Sequence, residues 1–497
     1  MRVLLLNPPF MGKYSRSSRS PAVTKGGTIY YPLWLAYATG VLEDAGFEAK
    51  LLDAPAEGKG IGEVLRIASE FRPELIVMDT STGSIHSDAE VLGKIKDTLR
   101  GATDCFAALV GTHPSAMPEE TLKMSAAIDA IARREYDYTV LELAREIERV
   151  QKGMGRAEKP ELALEKIGGL SWRDPKTGKA VHNKDREFIK NLDELPFVSK
   201  VYKKHLDIRN YFYSANLYPE ITIITGRGCP YRCKFCVWPQ VLNGRAYRAR
   251  SVENVIEEFE YIRGNFPQVR EVFIEDDTFT ADRGRVKEFC ARLAEKKIKI
   301  TWSCNARADV DYETLRTMKK AGCRLLCVGI ESGAQEILNN ISKGTRVDKI
   351  RQFFRDAKRA GVLVHGCFML GNQGETKETI GRTIEFAKEL NPDTAQFFPI
   401  MVYPGTETYE WARANGYLKS TDFRDWLNAE GGHNCMVCRP ELSAEELVKG
   451  CNRARKEFYL RPKYVASKAV QAVMHPREAK RILKAGKTFV KHLRGKE

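Results

Sequence analysis

A chain of 497 residues with 43% hydrophobic and 29% charged residues is long enough for two or three domains, each burying its own core. The N-terminus meets the Pro8-Pro9 pair after only four apolar residues, too few for a signal-peptide core. The longest apolar stretch, Ile29 to Leu42, contains Pro32 and falls short of the roughly 20 residues of a membrane span, so a cytoplasmic protein is expected. The net charge of +15 raises nucleic-acid binding, but no aromatic RNA-binding signature or DNA-binding module accompanies it, and no nucleic-acid partner is expected.

Residues 1–150 alternate strand and helix patterns. Strands are predicted at Arg2–Asn7, Glu48–Asp53, Leu75–Asp79, Phe106–Val110 and Ile128–Ala132. Helices are predicted at Leu33–Ala45, Ile61–Phe71, Asp88–Leu99 and about Tyr138–Val150. This alternation predicts a doubly wound parallel sheet, whose ligands sit beyond the carboxyl ends of the strands, here Asn7–Gly12, Thr80–Ser84 and Gly111–Ala116. From 151 to 205 the pattern loosens into a linker, with a hairpin turn over Trp172–Gly178. Alternation resumes from 206 to 410. Strands are expected at Ile221–Thr225, Glu271–Glu275, Ile300–Cys304, Leu325–Ile330, Leu363–Leu370 and Thr394–Ile400. Helices follow at Val252–Gly264, Arg285–Glu295, Tyr312–Lys320, Ala334–Asn340 with Asp348–Ala360, and Glu375–Leu390. Six βα units in succession predict a partial (βα)6 barrel with its chemistry at the carboxyl ends of its strands. Residues 411–497 read as a helical C-terminal region.

The decisive motif follows the first barrel strand: Cys229, Cys233 and Cys236 in the loop Gly226–Cys236. Twelve cysteines scattered at random produce this C-x₃-C-x₂-C spacing roughly 0.007 times per chain. Three thiolates this close ligate three irons of a cubane cluster and leave the fourth iron open for a substrate or cosubstrate. The alternatives are three packing cysteines in a Gly-rich loop, or a zinc site, which lacks a nearby fourth ligand.

With Phe235 at its aromatic position, the motif resembles the C-x₃-C-x-aromatic-C signature of the radical S-adenosylmethionine (SAM) superfamily. The resemblance runs from about 220 to 405. It implies a [4Fe–4S] cluster whose open iron is chelated by SAM, a 5′-deoxyadenosyl radical, and an electron donor of the flavodoxin or ferredoxin type. Glu275-Asp276-Asp277 resembles the acidic motif that receives the SAM amino group, in agreement with charge-assisted pairing. It departs from the common Gly-Gly-Glu form, so the choice among the three acids stays open. Asn305 and Arg307 stand where the SAM carboxylate or ribose is met, Glu331-Ser332 where the ribose is contacted, and Gly366–Gly371 where the adenine lies.

Residues 1–150 resemble the cobalamin-binding domains that precede many such barrels. The likeness is carried by Leu4–Pro9, Tyr31–Tyr37, Asp79–Ser84 and the run Gly111-Thr112-His113-Pro114. It implies a cobalamin site that includes Pro9, Thr80, Ser81, Gly111, Thr112 and His113. No Asp-x-His-x-x-Gly motif is present, so cobalamin is expected without a lower axial histidine, and His113 reads as a loop residue.

Cys236–Gln240, Arg248–Val252, Thr301–Ala306 and Tyr403–Thr406 resemble the hopanoid-biosynthesis-associated radical SAM subgroup. That resemblance implies radical rearrangement or carbon-skeleton modification of a lipid or lipid-linked sugar; the alternative is cobalamin-dependent radical methylation. Residues 461–497 carry eleven Lys or Arg and two Glu, interleaved with Val465, Val470, Val473, Ile482, Leu483, Phe489, Val490 and Leu493. Such a basic amphipathic tail fits either an anionic membrane surface or packing on the barrel. Cys435 and Cys438, with Cys451 as a third candidate, have a metal or redox spacing but too few ligands for a second cluster, and packing or surface thiols are expected.

Overall fold

The computed structural model describes residues 1–24, 26–153, 161–474 and 476–493. The N-terminal sheet contains β1 (Arg2–Asn7), β2 (Glu48–Asp53), β3 (Leu75–Asp79), β4 (Phe106–Val110) and β5 (Ala130–Ala132), all parallel. All five residues of β3 are buried, as a strand covered by helices on both faces requires. β6 (Leu170–Arg173) and β7 (Ala180–His182) then pair antiparallel beside β5 and extend the order to β2-β1-β3-β4-β5-β6-β7. The stretch read as a linker is therefore partly sheet. Its short strands carry too little apolar alternation to show in the sequence, and their stability comes from pairing with β5. Arg133 pins the addition through Ser171 and the Asn183 carbonyl.

The second sheet, of six parallel strands, is β8 (Glu220–Ile223), β9 (Glu271–Ile274), β10 (Trp302–Ala306), β11 (Cys323–Glu331), β12 (Leu363–Leu370) and β13 (Thr394–Pro399), in strict sequential order. Helices connect successive strands, as in the predicted partial barrel. Its open side is closed from two directions. The Tyr459 hydroxyl bridges Ala395 N and O (2.9 and 2.6 Å), which caps the β13 edge. At the amino ends of the inner strands Arg324 joins Glu271 (2.9 Å) to Glu478 (3.0 Å) of the last helix, Pro476–Leu493. Ala215 inserts among Phe273, Leu325 and Cys327 and fills the lumen from below.

Residues 10–24 and 26–28 form a strap between the two sheets, followed by the Ile29–Phe212 bridge to the barrel side. In the tail, Val465, Val470, Val473 and Leu483 are exposed, while Tyr464 is buried with its hydroxyl on the Asp393 carbonyl. The side chains of Phe489, Val490 and Leu493 lie outside the described residues. Among the described residues no helix is long and apolar enough to cross a membrane.

Candidate active site

The cysteine loop is built by backbone constraints. Gly228 has φ +87°, and a Cβ there would lie 2.1 Å from the Ala246 carbonyl oxygen, so only glycine fits. Its N–H donates to Asp277 Oδ2 (2.9 Å), while Cys229 N donates to the Gly244 carbonyl (3.2 Å). Gln240, in the π-turn Trp238–Leu242, donates to the Lys234 and Cys236 carbonyls (3.0 and 2.8 Å) and ties off the far end.

Cys229 and Cys233 are buried and Cys236 is half-buried. Burial raises the Cys229 and Cys236 thiols, and the neighbouring Cys233 adds to the rise at Cys236. Iron charge reverses that logic by holding sulfur as thiolate, so the donor set fits a cluster. Among the described residues no three His, Cys, Asp or Glu groups are close enough to share one metal ion.

The three acids have separate environments. Asp276 is fully buried and accepts from Thr225 N and Oγ1 (2.6 and 2.7 Å), which locks the end of β9 to that of β8. Asp277 accepts from Gly228 N and Asn243 Nδ2 through Oδ2, whereas its buried Oδ1 has no hydrogen-bond partner. Glu275 faces Arg19 of the strap; burial raises its carboxyl and Arg19 is the largest opposing influence. Arg19 also donates to the Asp276 carbonyl (3.0 Å), lies 4.0 Å from Asp277 Oδ1 and stacks 4.0 Å above Trp238. A buried carboxylate oxygen without a hydrogen bond beside the cysteine loop suits an ammonium group such as that of SAM.

Around this centre, Asn305 Nδ2 donates to the Asp276 carbonyl (3.2 Å). Arg307 spends its guanidinium on the Lys343 and Gly344 carbonyls and on the Tyr231 ring (3.6 Å), so it braces the cysteine loop. Glu331 sits at φ +67°, an uncommon conformation for a non-glycine residue, and accepts from Lys343 Nζ (2.7 Å). That lysine also faces the Phe235 ring at 5.8 Å. Ser332 is turned to Thr383 (3.0 Å). Gly371 has φ +102°, and a Cβ there would lie 2.9 Å from Leu447.

Sequence reasoning missed Arg19, Trp238 and Lys343. Lys343 follows Glu331 by twelve residues and carries no spacing signal, and Arg19 comes from another domain. The Ser-Arg repeats of the strap were the one available hint.

At the N-terminal sheet, Arg16 is buried and donates to Asp88 Oδ2 (3.1 Å), Asn7 Oδ1 (2.7 Å) and the Pro8 carbonyl (2.8 Å), with Pro9 half-buried beside them. Thr80 and Ser84 donate to Asp88 (2.6 Å each), and Ser81 meets the Tyr14 hydroxyl (2.8 Å). Gly111, at φ +115°, brings the chain against the Thr80 carbonyl, and Thr112 begins a short helix. His113 contacts Thr82 through Nδ1 (3.3 Å) and Phe423 edge-on; burial lowers its pKa to about 3, so its ring is neutral.

A cavity of about 2390 Å³ lies between the two sheets, larger than the roughly 300–1,000 Å³ of a small-molecule site. It touches Gly12, Lys13, Pro55, Ala56 and Gly58 past the ends of β1 and β2. It also touches Ser20, Tyr30, Gln396 and Phe398 on the barrel side. The Thr80–Ser81 and Gly111–His113 turns do not line it. A volume of this size, reaching past the ends of β1 and β2, is large enough for a corrin.

Residues 223–387 match the Radical SAM superfamily and residues 19–144 match the B12 binding domain. The chain is 30% identical over 464 residues, 93% of each chain, to the "Uncharacterized methyltransferase PH0819" of Pyrococcus horikoshii. It therefore belongs to the radical SAM superfamily, as a member with a B12-binding domain in front of its barrel. Its cofactors are a [4Fe–4S] cluster, SAM and cobalamin. The fold matches TsrM of Kitasatospora setae, a radical SAM methyltransferase solved with cobalamin and a [4Fe–4S] cluster, at TM-score 0.68 and 18% identity, covering 93% of this chain and 89% of that one.

These relatives correct the expectation of lipid or lipid-linked sugar rearrangement. The full-length relative is named a methyltransferase. The relative named for hopanoids, the C-3 methylase of Methylococcus capsulatus, is only 23% identical over 400 residues, 79% of this chain and 70% of that one, and is itself a methylase. The finer sequence runs that pointed to head-group chemistry are turn and barrel residues with structural duties. Arg248, for example, pairs with Glu135 and joins the barrel to the N-terminal domain.

Proposed function

We propose that the protein is a cobalamin-dependent radical SAM methyltransferase. The observation that carries this reading is a cavity that reaches both the ends of β1 and β2 in the B12-binding domain and Ser20 and Tyr30 beside the Arg19–Glu275 pair. A methyl donor held on one domain and a substrate held against the other then share one space.

When bound, the cluster with SAM supplies reductive SAM cleavage and cobalamin supplies a transferable methyl group. The residues do the rest. Cys229, Cys233 and Cys236 hold the cluster, and Asp277 with Glu275 receives the SAM ammonium. Glu331 is held by Lys343 toward the nucleoside side, and Phe235 and Gly371 shape the apolar walls. Tyr30 is half-buried in the cavity wall, and desolvation pushes its hydroxyl well above its usual range, so it stays protonated beside Glu275. An external one-electron reductant is required.

Methylation consumes two SAM molecules per turnover. Anaerobic assays with reductant, SAM and candidate substrates are expected to yield S-adenosylhomocysteine and 5′-deoxyadenosine in step with methylated product. Product formation without S-adenosylhomocysteine would overturn the assignment. Association of the tail with a membrane surface is a finer part of this proposal, supported by the exposed Val470, Val473, Met474 and Leu483 among basic residues. Co-flotation with anionic vesicles tests it, and failure to float removes it.

A further inference from the structure

The cavity has a marked charge asymmetry. Lys13, Arg209, Arg270, Arg455, Lys468 and four further Lys or Arg residues of the last helix line it, against Asp393 as its one carboxylate. Lys468 is neutralised by that aspartate (3.1 Å) and Arg209 by Asp207, which is not part of the wall. Lys13, Arg270, Lys480 and Lys487 form no ion pair among the described residues. Lys484 lies over the Phe212 ring (3.3 Å); burial lowers its pKa, and the facing charge of Lys13 lowers it further.

The rest of the wall is mostly apolar, with Ile29, Tyr30, Phe212, Tyr213 and Phe398. His365 in its floor is neutral, its pKa lowered to about 4 by burial, and it bonds Thr394 through Nδ1 (2.7 Å). Lys13, Arg270, Lys480 and Lys487 are exposed to solvent, and like charges around one apolar chamber repel one another, a cost that a bound anion reverses. Four of the nine cations sit on the Pro476–Leu493 helix, while Tyr30 packs on Tyr213, whose hydroxyl meets Cys327 Sγ (3.2 Å) inside the barrel.

We infer that the substrate is a large, mainly apolar molecule carrying carboxylate or phosphate groups at one end. That end is held by Lys480, Lys487 and Arg270, and the apolar body points past Tyr30 toward the cysteine loop. This substrate class deepens the methyl-transfer reading and rests on it for the identity of the reaction, but its test involves no turnover.

The test is equilibrium binding of 4-(1-pyrenyl)butyrate, pyrenylbutyl phosphate and the neutral 4-(1-pyrenyl)butanol to the full chain, followed by pyrene fluorescence. Both anions are expected to bind at least tenfold more tightly than the alcohol. The order of butyrate and phosphate tells which anion the site prefers. The double variant Lys480→Glu/Lys487→Glu is expected to erase the preference. Lys299→Glu/Lys349→Glu, which makes the same change of net charge at exposed positions outside the cavity, is expected to keep it. Equal binding of anion and alcohol, or a preference that survives Lys480→Glu/Lys487→Glu or is lost equally in the control, overturns the inference. None of these outcomes depends on S-adenosylhomocysteine formation, so the substrate class and the reaction can fail separately.

Discussion

Asp88 and Asp277 are both buried carboxylates at the carboxyl ends of parallel sheets, one in each half of the molecule, and they differ in what is left over. Asp88 accepts from Arg16 on both oxygens and from Thr80 and Ser84. Asp277 satisfies Oδ2 on the cysteine loop and leaves Oδ1 without a hydrogen bond, 4.0 Å from the Arg19 guanidinium. A saturated carboxylate organises structure, whereas an unsaturated one in a buried site is costly unless a ligand completes it. The strap links the two: Arg16 closes the first site, and three residues later Arg19 reaches only partly into the second.

The largest expected effect is at the barrel. Replacing Cys229, Cys233 or Cys236 by Ala should abolish the cubane absorbance after anaerobic reconstitution and reduce SAM cleavage to background, with folding retained by circular dichroism. Intact cleavage in any of the three would dissolve the contrast at its root.

Next comes the saturated site. Arg16→Met strands the buried Asp88 charge, and a loss of about 3–5 kcal/mol is expected in chemical denaturation. Adding Asp88→Asn should restore most of it. An unstable double variant would show that packing of the strap matters more than the charge pair.

Asp79 gives the same site a pH signature. Burial raises its carboxyl from 3.8 to about 7. The folded chain then keeps a proton that the unfolded chain gives up near pH 4, so this group's contribution to stability falls as pH rises from about 4 to 7. Asp79→Asn should therefore gain stability relative to the parent over that window, by about 4 kcal/mol at most. Parallel pH–stability curves would refute it.

The smallest effects separate ligand from scaffold in the barrel. Asp277→Asn should weaken SAM binding about tenfold, or 1.4 kcal/mol, with the cluster retained. Arg19→Gln removes the charge that opposes the rise of the Glu275 carboxyl. The acid limb of SAM binding, read by equilibrium dialysis, should then move to higher pH. An unmoved limb would make Arg19 a packing residue.

Much of the fold was legible because its signals are local. β1, β3, β4 and β12 have the predicted bounds, since continuous apolar runs between turn residues leave little choice for a doubly covered strand. The cysteine spacing and the acids after β9 were legible for the same reason. β6 and β7 were not, because short half-exposed strands depend on the neighbour they pair with. The division of labour among Glu275, Asp276 and Asp277 could not be read either, since three adjacent acids differ only in which way the chain turns after the strand.

By itself the sequence determined two parallel sheets, three sulfur donors in a glycine-bound loop, and an acidic turn one strand later, all written within short windows where spacing and periodicity act. The tertiary structure alone decided that a strap from the first domain lays Arg19 against Glu275, that Lys343 holds Glu331, and that distant lysines ring one shared cavity. Those contacts join residues from roughly a dozen to several hundred positions apart, and they exist only because burial of apolar surface joins the two domains in one core.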